Sequence, residues 1–187
     1  MTTGVLITGT DSGLGRCLRQ HLGGERLTRG STPAELAAIQ AQPWDVIIHC
    51  AFNPCRDVGP DELHAYYEDN LKLTEDLVRI PHRRFIYLSS VDVYPPGARR
   101  RVEDVEPRLT QAAGPYALCK LLAEAMVRRH SRVPLIIRPA AMLGPHSREN
   151  SLIRLVRDRA AALTLSGDSS MNYVLHRDVR RFIEEAL

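Results

Sequence analysis

The first fifteen residues narrow the possible folds more than any other stretch. Gly4-Val5-Leu6-Ile7-Thr8-Gly9 is a short β-rich run ended by glycine, the pattern of a buried parallel strand. Gly9-Thr10-Asp11-Ser12-Gly13-Leu14-Gly15 follows, and Leu14, Cys17, Leu18 and Leu22 then recur at helical spacing. Glycines at such a turn let the backbone come close to a pyrophosphate, whose charge rests on the helix N-terminus. Strand, glycine loop and helix in this order predict the opening of a dinucleotide-binding βαβ unit. Gly9, Asp11, Ser12, Gly13, Leu14 and Gly15 are then its cofactor-binding loop.

The remaining chain keeps alternating. Glu25 to Arg29 reads as a short second strand, and Pro33 opens a helix that ends near Pro43. Asp45 to Ala51 is another buried strand, reached so soon that the usual third strand and one helix are abbreviated. An amphipathic helix covers about 60–80, with Leu63, Tyr66, Tyr67, Leu71, Leu77 and Val78 toward the core. Arg84 to Ser90 is a strand, and Pro96 to Gly114 a charged surface excursion. A helix then runs from about 115 to 131, and Val133 to Pro139 forms a further strand. A helix at about 150–162, a short strand or two within 163–175 and a closing helix from about 177 complete the chain. This predicts a single α/β domain over 1–187, with a doubly wound parallel sheet carrying helices on both faces and its ligand at the carboxyl ends of the strands.

Composition excludes several functions. A net charge of +3, with no like-charged block longer than Arg99-Arg100-Arg101, gives no nucleic-acid footprint. No apolar run approaches the roughly 20 residues of a membrane helix, and the short apolar start Gly4 to Ile7 is not expected to act as a signal peptide. The four cysteines form no C-x-x-C pair and sit mostly in apolar patterns. Free, buried or half-buried thiols in a reducing cytoplasm are the expectation. No metal site is expected.

Chemistry is predicted at Pro115-Tyr116-Ala117-Leu118-Cys119-Lys120, where Tyr116 and Lys120 stand one helical turn apart. An ammonium beside a phenol favours the phenolate and brings it toward the range of a general acid/base. Of 25 basic residues only Lys72 and Lys120 are lysines, so position 120 calls for a compact ammonium. At the end of the second strand Arg29 stands where an acidic residue would hold the ribose hydroxyls of NAD. It suits a 2′-phosphate, and NADP(H) is favoured over NAD(H). His49, alone at a strand exit, reads as a packing residue.

Glycine loop, strand-end serines and Tyr-x-x-x-Lys, in that order, resemble the short-chain dehydrogenase/reductase superfamily. Asp45 to Ala51, Asn70 to Thr74, Leu88 to Tyr94, Arg138 to Pro145 and Tyr173 to Val179 draw the likeness toward its extended branch of NAD-dependent epimerases and dehydratases. The shortened passage before Asp45 is most similar to the dTDP-4-dehydrorhamnose reductase group. The resemblance implies that Ser90, Tyr116 and Lys120 are catalytic, and that Ser90, Val91 and Tyr116 meet the substrate. It also implies that Cys50, Ala51, Asn70, Tyr116, Lys120 and Pro139 line the cofactor. The loop spacing T-G-x-x-x-G-x-G is that of another branch of the superfamily. Ala141 and Leu143 stand where extended members carry Asn and Tyr, and residues 140–187 would form a reduced substrate-binding region.

The function implied is an NAD(P)(H)-dependent ketoreductase for a sugar-like or other small carbonyl compound. An epimerase or dehydratase with tightly bound NAD, and a non-catalytic NAD(P)-binding protein, are the alternatives. Surplus apolar residues on the helices at 60–80 and 115–131 predict a homodimer.

Overall fold

The computed structural model describes residues 4–95, 105–158, 160, 162, 166 and 168–187. The Arg99 to Arg101 triplet, the first part of the Pro96 to Gly114 excursion (96–104) and part of the expected 163–175 strands lie outside these. Five strands form one parallel sheet: β1 (Val5–Thr8), β2 (Glu25–Leu27), β3 (Trp44–His49), β4 (His82–Leu88) and β5 (Pro134–Ile137). Their order is β2-β1-β3-β4-β5, so the chain reverses direction of travel across the sheet between β1 and β3. Ligands of such sheets bind outside the carboxyl ends at that reversal point.

Period-two alternation sorts the strands' side chains onto two faces. Leu6, Ile47, Phe85 and Tyr87 pack on one side against Ile39 of α2 (Pro33–Gln40), Leu77 and Val78 of α4 (Leu73–Arg79), and Ala123 and Val127 of α5 (Pro115–His130). Ile7, Val46, Ile48, Ile86 and Leu88 pack on the other against Leu14 and Leu18 of α1 (Gly13–Leu22) and Val179 and Ile183 of α7 (His176–Ala186). The doubly wound expectation holds on both faces.

Several boundaries differ from the pattern reading. β2 stops at Leu27, and Arg29 falls in the turn that Ser31 closes by donating its N–H to the Thr28 carbonyl. The 60–80 helix comprises a 3₁₀ turn Pro60–Glu62, α3 (Leu63–Tyr67), a π-helical turn Glu68–Lys72 and then α4. Asn70, buried, sits in that π turn. α6 (Ser151–Arg157) is shorter than expected. β6 (Ala141–Leu143) was not anticipated, because three residues directly after Arg138-Pro139 carry too little pattern; it pairs in parallel with β7 (Tyr173–Leu175). The thiols are all free, but Cys55 is exposed where a buried or half-buried one was expected. Among the described residues no helix is long and apolar enough to cross a membrane.

Candidate active site

The carboxyl ends of β1, β3, β4 and β5 open into one cleft of about 1290 Å³, large for a small-molecule site and roomy enough for a dinucleotide beside a small substrate. Its floor on one side is the glycine loop. Gly9, at φ +71°, lies so close to the chain leaving β3 that a Cβ there would stand 2.7 Å from the Ala51 nitrogen. A Cβ on Gly15 would sit 2.3 Å from the Gly9 carbonyl oxygen, so the loop can only close with glycine at both places. A Cβ on Gly13, at φ +58°, would meet nothing within 4 Å, which leaves space beside the N-terminus of α1. A helix start beside such a glycine cradle fits the diphosphate of a dinucleotide.

β4 runs out into Ser89 and Ser90. The Ser90 hydroxyl donates to Asp92 Oδ2 at 2.9 Å and accepts from the Asp92 N–H at 3.2 Å, which caps the 3₁₀ turn Val91–Val93. Asp92 also pairs with Arg56, whose guanidinium carbon lies 4.4 Å from the centre of the Tyr116 ring. Phe52 meets the same ring edge to face at 5.2 Å. Tyr116 opens α5, with Pro115 as its first residue, and lies in the cleft. Burial pushes the Tyr116 phenol up; the nearby Ser90 hydroxyl and Arg56 act the other way, and Asp92 adds to the rise.

Lys120, one turn further on, is 4% exposed. It donates to the Leu88 carbonyl at 2.6 Å and stands 3.8 Å above the Phe52 ring. Burial draws its pKa down to about 7, against a smaller opposite effect of the Cys50 thiol. The expected lowering of the phenol by this ammonium is therefore not what the fold builds. Burial dominates at Tyr116, and the cations acting on it are Arg56 and Arg148. The Tyr-Lys spacing identifies two groups of one cleft, with the amine tied back to the strand.

Below them Glu124, wholly buried on α5, receives two hydrogen bonds from Arg138, at 3.0 and 2.7 Å, and one from Arg128 at 3.0 Å. Burial alone would raise its pKa, but the Arg138 fork holds the carboxyl below its ordinary range. Arg138 also donates to the Tyr94 hydroxyl at 2.9 Å, so this cluster ties α5 to the ends of β4 and β5.

Gly9, Ser12, Gly13, Leu14, Gly15, Cys50, Ser90, Val91, Tyr116, Lys120 and Pro139 line the cleft as the sequence suggests. Asp11, Arg29, Ala51 and Asn70 do not. Ala51 lies behind Gly9, with its N–H on the Thr8 hydroxyl at 3.1 Å. Asn70 braces the loop after β3, its Oδ1 accepting the Asn53 N–H at 2.7 Å. Arg29 lies on the surface and pairs with Asp69 at 2.9 Å. His49 is a packing residue, locked between the hydroxyls of Thr8 at 2.8 Å and Thr74 at 3.0 Å, with burial drawing its pKa down to about 3. Phe52, Arg56, Glu124, Arg148 and His176 were missed. Phe52, Arg56 and Arg148 are loop residues without periodicity, flagged at best by the place of Phe52 after Cys50-Ala51 and of Arg148 after Gly144-Pro145, whereas Glu124 and His176 lie on helices whose pattern does not mark them as site residues.

The family model described as "NAD dependent epimerase/dehydratase family" matches residues 5–187. No curated protein matches the sequence. Among solved structures, a dTDP-4-dehydrorhamnose reductase from Clostridium acetobutylicum superposes with a TM-score of 0.80 at 18% identity, over 98% of this chain and 69% of that one. The dTDP-4-dehydrorhamnose reductase of Bacillus anthracis, in complex with NADP, gives 0.77 at 19% identity, over 100% and 71%. A UDP-glucuronic acid 4-epimerase from Bacillus cereus, in complex with UDP-glucuronic acid and NAD, gives 0.73 at 21% identity, over 98% and 72%. At these identities the likeness to the solved structures is one of fold.

Proposed function

Because the chain belongs to the NAD-dependent epimerase/dehydratase family of the extended short-chain dehydrogenases/reductases, we propose that it is an NAD(P)(H)-dependent oxidoreductase that reduces a sugar-like or other small carbonyl compound. The observation that carries this reading is the convergence of Ser90, Tyr116 and Lys120 on a cleft floored by the glycine loop. When bound there, the nicotinamide gives or takes the hydride.

The chain's own groups do the rest. A phenol held up by burial stays protonated near neutral pH, so Tyr116 is an acid ready to give its proton to a carbonyl oxygen that gains charge. Ser90 can turn its proton from Asp92 to the same oxygen. Lys120, near 7, gains a full charge when an anionic ligand enters, and its remaining N–H groups can hold a ribose hydroxyl while the Leu88 carbonyl fixes the amine. Phe52 and Pro54 wall the cleft near Tyr116. NADP(H) is the preferred form in this reading, and the exposed Arg29, which pairs with Asp69, would hold the 2′-phosphate.

One observation favours a second reading. The Asp92 carboxylate lies in the cleft beside Ser90 and could accept a proton from a substrate carbon next to the carbonyl, as an epimerase or dehydratase with held NAD requires.

Loss of nicotinamide absorbance with 4-keto and other carbonyl sugars tests the proposal. Tyr116→Phe should lower turnover by at least about a hundredfold and leave cofactor affinity in place. Undiminished turnover in the variant would overturn the acid assignment.

A further inference from the structure

The segment after β6 lies across the glycine loop. Ser147 closes a turn by donating its N–H to the Gly144 carbonyl at 3.0 Å. The His146 carbonyl accepts the Gly13 N–H at 2.7 Å, and its ring bonds Gln20 on α1 at 3.0 Å. Arg148 then bridges the two walls of the cleft, reaching Ser12 Oγ on one side and the Phe52 carbonyl on the other, each at 3.4 Å. Gly144 is itself pinned, since a Cβ there would stand 2.3 Å from Nδ1 of the buried His176.

Two features make this more than a tether. First, Gly13 offers the N–H at the head of α1, where a dinucleotide diphosphate would be held, and here that donor is already used by the His146 carbonyl. A neutral carbonyl is a poor rival to a dianion at a helix N-terminus. Second, the loop supplies no cation of its own. It carries Asp11, and α1 has no basic residue in the cleft wall, whereas Arg148 lies in the cleft with no carboxylate partner among the described residues. Its two present bonds are long and go to neutral oxygens, so both are readily exchanged.

We infer that Arg148 is a diphosphate-binding residue, carried on a segment that leaves Gly13 as the dinucleotide enters and then closes its guanidinium onto the phosphate oxygens. This deepens the proposed function and rests on its cofactor reading. A guanidinium fork meets two oxygens at once, which a lysine at this place would not.

Calorimetric titration with ADP-ribose, which carries the diphosphate, and with adenosine, which does not, tests it without any turnover. Arg148→Met should weaken ADP-ribose by about 10- to 100-fold, the range of a charge-assisted contact, and leave adenosine unchanged. Arg148→Lys, which keeps the charge and loses the fork, should fall between the two and decides the matter if the methionine variant does not fold. Unchanged ADP-ribose affinity, or an equal loss for adenosine, overturns the role of Arg148 alone. A wild-type protein that binds neither ADP-ribose nor NADPH overturns the cofactor reading and this inference with it.

Discussion

Replacing Lys120 by methionine should make the protein more stable at neutral pH, by an amount that shrinks as pH rises. In the fold the amine is 4% exposed and its pKa falls from 10.5 to about 7 because burial disfavours the charged form. The unfolded chain keeps its proton up to about 10.5. Between the two values unfolding therefore takes up a proton, and wild-type stability rises with pH at up to about 1.4 kcal/mol per pH unit. From pH 7 to pH 9 the gain attributable to this group is about 2 kcal/mol. Methionine at 120 has no proton to exchange and fills a similar volume, so the variant lacks this slope. Urea unfolding of both proteins at pH 7, 8 and 9, with equal m-values, isolates the effect, because every other titration cancels in the difference. The stability advantage of Lys120→Met should fall by about 2 kcal/mol across that range. A difference that does not move with pH would mean that Lys120 is fully charged in the fold, and the account of its burial would be wrong.

Arg29→Asp should weaken NADPH binding by about 1–3 kcal/mol and disturb NADH less; equal losses measured by fluorescence titration would remove the preference for NADP. Glu124→Ala, which strands the Arg138 guanidinium beside a buried void, should cost about 3–5 kcal/mol in urea unfolding. Because the Glu124 pKa is depressed, its stabilisation is present above the ordinary carboxylate range and is lost as pH falls through its folded value, so the cost should shrink in acid. Leu118, Leu122 and Met126 leave a half-buried apolar stripe along α5, and we propose that it pairs with its copy in a homodimer; light scattering at micromolar concentration should give twice the chain mass, and 21.0 kDa would refute it.

The sheet and its two covered faces were legible because buried parallel strands read as continuous apolar runs, and the helices between them keep a 3.6-residue period. Ser90, Tyr116 and Lys120 were legible as positions, since each sits at a strand end or on a helix whose register the sequence fixes locally. Their electrostatics were not. The Tyr-Lys spacing puts the groups one turn apart, but the Leu88 carbonyl and the Phe52 ring, from distant parts of the chain, decide where the amine rests. Arg148 was equally hidden, because its place over Ser12 spans 136 residues and depends on a turn at Gly144 to Ser147. β6 escaped for a simpler reason: three residues hold one and a half periods of alternation, too little to separate a strand from a loop.

That this cleft holds a nicotinamide dinucleotide is tested by titrating the protein against fixed NADPH, following nicotinamide fluorescence, and repeating the titration with excess ADP-ribose. A saturable change with one site per chain, abolished by ADP-ribose, is the predicted result. Gly15→Ala, whose Cβ would stand 2.3 Å from the Gly9 carbonyl oxygen, should remove that change by deforming the loop. No change in fluorescence with folded wild-type protein, for NADPH and NADH alike, would contradict the account.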